Sequence, residues 1–271
     1  MLSSNHVLQI IILTFSKFLN MTNSEFYLPQ ILEKAFQSSQ VYDESGRTIP
    51  LDSNVSRDEA CVLNASVRHL KPTLSVEIGL AKGVSTLAIL GGIDKNGAGR
   101  HVVCDPFQSN YGNSSIEMVR RAGLDQWWEF HRKYAEEVVP MLGDIQFAFI
   151  DASHLFDLTL LEFVLVDKKL EEGGVVGFHD MWMPSLQKLL RFVLENRAYE
   201  VWTPPSIPAH NPKATKSARK QILSSIKRLP YAEKIVKPEI LKPWGEMIIP
   251  NLVLLRKQHH DNRNWKHFSP F

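Results

Sequence analysis

"TLSVEIGLAKGVSTLAILGG", Thr73 to Gly92, decides the fold. It opens as an apolar strand, turns at Gly79 and Gly83, and continues as an apolar helix ending in two glycines. The loop reads E-x-G-x-x-x-G, from Glu77 through Gly79 to Gly83. Glycine at 79 permits a sharp turn and a close backbone approach that a Cβ would block. Gly83 opens the helix, whose first N–H groups face the loop. The spacing is not the G-x-G-x-x-G of a dinucleotide-binding turn, and no G-K-[ST] holds phosphates. Taken alone, the motif also fits a plain strand-to-helix turn.

Outward from this unit, strands and helices alternate. "RHVVCD" reads as a strand and "SSIEMVRRAG" as a helix; "QWWEFHR" reads as a strand, although its aromatics also suit a helix. "YAEEVVPML" reads as a short helix and "IQFAFID" as a strand. "LFDLTLLEFVLVDKKLEEGG" reads as one long helix closed by glycine. "VVGFHD", the helix "SLQKLLRFVLENR" and the strands "YEVWTPP" and "MIIPNLVLLRK" complete the series. Upstream, residues 22 to 42 read as a helix and "DESGRTIPLDSN" as a polar turn. Ser56 and Glu59 form a capping box before "ACVLNASVRHLKP". Alternation of this kind predicts an α/β fold with a mostly parallel sheet and helices on both faces. Ligands of such sheets bind beyond the carboxyl ends of the strands. The residues there are Glu77, Gly79, Asp105, Asp151, His179 and Asp180.

Glu77-x-Gly79-x-x-x-Gly83 after the first strand of the sheet, with Asp105 after the second, resembles the class I S-adenosylmethionine-dependent methyltransferases over roughly residues 56 to 256. The resemblance implies a Rossmann-like seven-stranded sheet whose last strand is antiparallel. It also implies S-adenosylmethionine as cofactor. Gly79 and Gly83 would then wall its methionine part, Glu77 and Ser85 would hold the amino and carboxylate ends, and Asp105 would accept from the ribose hydroxyls. Ala135 stands at the position matching an adenine contact.

"FAFIDASHLFD", Phe147 to Asp157, ends a strand in a carboxylate, with an imidazole three residues later. Asp151 and the His179-Asp180 pair end neighbouring strands, which lie about 4.8 Å apart, so they can share one divalent cation. Oxygen ligands suit Mg²⁺; a nitrogen from His179 suits Mn²⁺, Fe²⁺ or Zn²⁺ better. This edge resembles the metal-dependent O-methyltransferase branch, whose catechol-type members carry a lysine base where this chain has His154. His154 can serve as general base or can anchor the following helix. Asp151 can be ligand, cofactor contact or helix cap, and His179 can orient Asp180 instead of binding.

The chain has 271 residues and a formal charge of +2, which gives no whole-protein field for nucleic acid. Two cysteines, Cys61 and Cys104, make no disulfide framework and fit a reducing, cytoplasmic setting. "HVLQIIILTF" is too short for a bilayer, which needs roughly 20 apolar residues. Residues 1–55 read as a helical appendage and 56–271 as the methyltransferase domain. A basic insertion at 204–247 carries Arg219, Lys220, Lys227 and Arg228. It reads as a solvated helix or as a lid for an anionic acceptor at a membrane surface. The expected activity is methyl transfer to a hydroxyl of a small molecule: a sugar, a phenol, a sugar nucleotide or a glycolipid. A homo-oligomer is compatible with this reading. The rivals are a metal-independent N- or O-methyltransferase and a non-catalytic cofactor-binding homologue that serves as an assembly partner.

Overall fold

The structure, a computed structural model, describes residues 26–207 and 251–271. The N-terminal apolar stretch and nearly all of the basic insertion, including Arg219, Lys220, Lys227 and Arg228, lie outside the described residues. Seven strands form one sheet: β3 (Leu74–Ile78), β4 (Arg100–Cys104), β5 (Trp128–His131), β6 (Ile145–Ile150), β7 (Leu170–Phe178), β8 (Tyr199–Val201) and β9 (Val253–Lys257). Their order is β5-β4-β3-β6-β7-β9-β8. All neighbours run parallel except β9, which is antiparallel to both β7 and β8. The chain therefore winds outward from β3 to β5, returns, and winds the other way from β6. That reversal leaves a crevice between the carboxyl ends of β3 and β6, where ligands of such sheets bind.

Side chains alternate between the two faces of each strand. Phe147 and Phe149 of β6 meet a cluster holding Leu32, Leu63, Leu87, Ile89 and Met118. Those residues come from α1 (Gln30–Ser38), α2 (Arg57–Leu70), α3 (Val84–Asn96) and α4 (Ser114–Ala122). Ala148 and Ile150 face the second cluster, with Val138, Phe163, Leu189 and Val193. These belong to α5 (Ala135–Val138), α6 (Phe156–Asp167) and α7 (Pro184–Asn196). Each fully buried Phe contributes about 1.5–3 kcal/mol, so both faces of the sheet are firmly covered. Among the described residues no helix is long and apolar enough to cross a membrane.

Three local readings change. The helix expected over residues 155–174 stops at Asp167, and β7 starts at Leu170, with Gly173 and Gly174 inside the strand. The helix end is held from far away in sequence: the buried ammonium of Lys257 on β9 takes the Asp167 and Leu170 carbonyls at 2.6 and 2.9 Å, as lysines do at the free carbonyls of helix ends. The polar turn is a hairpin of β1 (Gln40–Tyr42) and β2 (Thr48–Pro50). Asp43 Oδ1 accepts from Ser45 N and Arg47 N, a side-chain mimic of a backbone turn. The helix read over 22–42 is confined to Gln30–Ser38 in its described part, where Pro29 opens it. Leu32, Ala35, Val41 and Val55 pack into the first core cluster, so residues 30–55 are built into the main body. The capping box before α2 forms as expected, with Ser56 N donating to Glu59 at 2.7 Å.

Candidate active site

The glycine loop sits on the β3 edge of the crevice. Gly79 has φ +90°, and a Cβ there would lie 2.0 Å from the Asp151 carbonyl oxygen. Gly83, at φ +80°, would meet Ser115 at 2.7 Å. Both glycines are demanded by the protein's own packing: Gly79 lets the ends of β3 and β6 close against each other, and Gly83 lets α3 approach α4. Beneath the loop, Glu77 is fully buried. It accepts from Ser85 Oγ, from Thr86 Oγ1 at 2.6 Å and pairs with His101 Nε2 at 2.9 Å. Glu77 and Ser85 thus bind each other and brace the loop from below.

Asp105 follows β4 and ties the loop down. Its Oδ2 accepts from Leu80 N at 3.1 Å and Gln108 Nε2 at 2.9 Å, and its Oδ1 from Phe107 N at 2.7 Å. A carboxylate has about four acceptor sites, so Oδ1 keeps one for a ligand. Next to it, Phe107 and Tyr134 stand half exposed at the ends of β4 and β5, with ring centroids 5.9 Å apart at 82°. Ala135 is buried directly after Tyr134, at the start of α5. The aromatic pair was not singled out in the sequence, because only the parallel pairing of β4 and β5 brings residues 27 positions apart together.

Across the crevice, β6 and β7 end in the acidic edge. Asp151, His154 and Asp180 each offer a ligand atom, all within 4.8 Å of one another. His154 Nε2 is 2.9 Å from Asp151 Oδ1 and 3.3 Å from Asp180 Oδ2. His154 and Asp180 both adopt left-handed backbone, at φ 58° and 52°. Such non-glycine conformations cost about 1–3 kcal/mol each and gather at functional sites. Ser185 Oγ donates to the His154 carbonyl at 2.7 Å and supports the turn. The Asp180 carboxylate receives the Trp182 indole N–H at 2.9 Å and Asn251 Nδ2 at 3.3 Å.

His179, expected among the ligands, lies below this triad. It is 5% exposed. Its Nδ1 is 3.3 Å from Asp151 Oδ2, a charge contact without hydrogen-bond alignment. Its Nε2 faces Glu59 Oε2 at 3.4 Å and Asn251 Nδ2 at 3.0 Å. Both imidazoles lie beside both aspartates, since His179 Nδ1 is also 3.6 Å from Asp180 Oδ1; His154 is the one hydrogen-bonded to Asp151. Burial works against charge on Asp151, yet the His154 hydrogen bond and the adjacent His179 hold its carboxyl at about 2. The Asp151 hydrogen bond raises the His154 imidazole above its ordinary value, against burial. Burial presses His179 down, but the carboxylates of Asp151 and Glu59 on either side carry it up to about 10.

Glu59 and Asn251 reach the site from distant segments and carry no motif that marks them, apart from the capping role of Glu59. Trp182 is 66% exposed beside Asp180. Trp202 instead packs against the first core cluster, with Arg256 over its ring, away from the acidic edge.

Comparison with known proteins follows the same lines. Residues 76–181 match a family model described as a methyltransferase domain. The Podospora anserina methyltransferase PaMTH1, solved with SAH bound, is 14% identical, with 96% of this chain and 98% of that one covered and a TM-score of 0.56. An O-methyltransferase from Bacillus cereus, solved in complex with SAH, is 20% identical over 69% of this chain and 86% of its own, with a TM-score of 0.52. The O-methyltransferase TomG from Streptomyces achromogenes, involved in tomaymycin synthesis and solved with SAM, is 14% identical over 95% and 100%, also at 0.52. At these identities the likeness is one of fold. No curated protein matches the sequence.

Proposed function

We propose that this chain, whose residues 76–181 match a methyltransferase-domain family model, is a class I S-adenosylmethionine-dependent enzyme that methylates a hydroxyl of a small sugar or phenol with the help of a divalent cation. The observation that carries the proposal is the convergence of Asp151, His154 and Asp180 at the crevice edge. Two carboxylates and one imidazole make a donor set suited to Mn²⁺, Fe²⁺ or Zn²⁺ as well as Mg²⁺. A cation there supplies acidity to a bound hydroxyl, a poor nucleophile at neutral pH, and fixes its direction.

The rest of the site positions the partners. For the cofactor, the open Oδ1 of Asp105 suits a ribose hydroxyl. The exposed Phe107 and Tyr134 rings and the buried Ala135 suit a purine. Gly79 and Gly83 shape the backbone beside the methionine part, with Glu77 and Ser85 bracing it. For the acceptor, the Trp182 indole is pinned by its N–H to Asp180 and leaves its face free, a platform for a sugar or aromatic ring.

A second reading has its own support. With His154 Nε2 held by Asp151 at 2.9 Å, Nδ1 is left to take the hydroxyl proton, and Asp151 stabilises the resulting imidazolium. His154 would then be a general base in a metal-free enzyme. Chelation separates the two. Enzyme stripped with EDTA should lose methyl transfer from labelled cofactor and regain it with Mn²⁺ or Mg²⁺. Full activity after stripping would select the Asp151–His154 dyad.

A further inference from the structure

Glu59 lies outside the segment that matches the methyltransferase model, on the first turn of α2, and does two things at once. Its side chain accepts from Ser56 N at 2.7 Å, closing the capping box, and its Oε2 lies 3.4 Å from His179 Nε2. Capping boxes belong to helix starts, which are commonly wet; this carboxylate is only 3% exposed. One backbone N–H does not offset the burial of a carboxylate, which calls for a charged partner. His179 is that partner, and its opposite nitrogen faces Asp151 Oδ2 at 3.3 Å. The imidazole thus lies between the two carboxylates, in charge contact with both.

We propose that Glu59 is a positioning residue of this cluster, acting through His179 to fix the carboxylate of Asp151. Its consequence for metal binding rests on the metal reading above; the charge contact itself does not. The usual signature of such a partner is a loss of metal affinity without contact to the metal.

Two variants of the full chain separate this role from helix capping. Glu59→Gln keeps the box, since glutamine also accepts the Ser56 N–H, but removes the charge facing His179. Ser56→Ala weakens the box and leaves Glu59 opposite His179. Mn²⁺ titration followed by electron paramagnetic resonance should show about 10- to 100-fold weaker binding in Glu59→Gln, with its melting temperature kept. Ser56→Ala should melt earlier and bind Mn²⁺ like the wild type. In the metal-free proteins, the His179 ring resonances should move in Glu59→Gln and stay in place in Ser56→Ala. Glu59→Gln with wild-type Mn²⁺ affinity and unmoved His179 resonances would overturn the proposal. Wild-type protein that takes up no Mn²⁺ would overturn the metal reading instead. The His179 resonances then decide on the charge contact alone, their shift in Glu59→Gln supporting it and their constancy refuting it.

Discussion

On the proposed metal reading, Asp151→Asn is expected to cost roughly 10³-fold in turnover, since metal polarisation is worth several kcal/mol and each 1.4 kcal/mol is tenfold, and to weaken Mn²⁺ binding by more than tenfold through loss of a charged ligand. The amide has the shape of the carboxylate but no charge, and two imidazoles lose their common counter-ion at once. His154 and His179 both owe part of their raised basicity to Asp151. The variant should therefore fold, because shape and packing are kept, while the cluster loses its central donor. Circular dichroism checks the fold and Mn²⁺ titration the affinity. Affinity within tenfold of the wild type would remove Asp151 from the donor set.

Gly79→Ala should be the most damaging added methyl among the described glycines. Its Cβ would stand 2.0 Å from the Asp151 oxygen, 2.7 Å from the Asp151 carbonyl carbon and 3.0 Å from Ala152 Cα, all backbone atoms. Positive φ adds its own strain. Together these cost roughly 2–6 kcal/mol, against a typical total stability of about 5–15 kcal/mol. The melting temperature should fall by about 5–20 °C, and the crevice between β3 and β6 should be forced open. Gly97 is the matched control: it too has positive φ, +68°, but nothing lies within 4 Å of its added Cβ. Scanning calorimetry of both variants isolates the clash from the strain. Equal melting temperatures would mean that β3 and β6 do not close on each other at Gly79.

Much of the fold is legible in the sequence because its signals are local. Apolar strands, the glycine turns and the Ser56–Glu59 box each lie within a few residues. What misleads is non-local. The carbonyl at the end of α6 is taken by Lys257, 90 positions away from Asp167, a contact that no pattern near Gly173 reveals. The same distinction runs through the site. Asp151, His154 and Asp180 stand out as polar residues that end apolar strands. The hydrogen bond of His154 to Asp151 accompanies left-handed backbone at His154 and Asp180 that the residue types do not announce. Glu59 and Asn251 are 120 and 72 positions from His179 and reach it only through the packing of α2 and β9 on the sheet. The glycine motif is legible in position but not in cause, because the atoms that exclude a Cβ come from Asp151 beyond β6 and from Ser115 on α4.

The central claim is that this crevice is built for S-adenosylmethionine, and calorimetric titration of the purified chain with that cofactor tests it without knowledge of the acceptor. The account predicts saturable binding at one site, with a dissociation constant on the order of micromolar. At millimolar cofactor this should raise the melting temperature by on the order of 10 °C. No heat of binding and no thermal stabilisation at millimolar cofactor would contradict it.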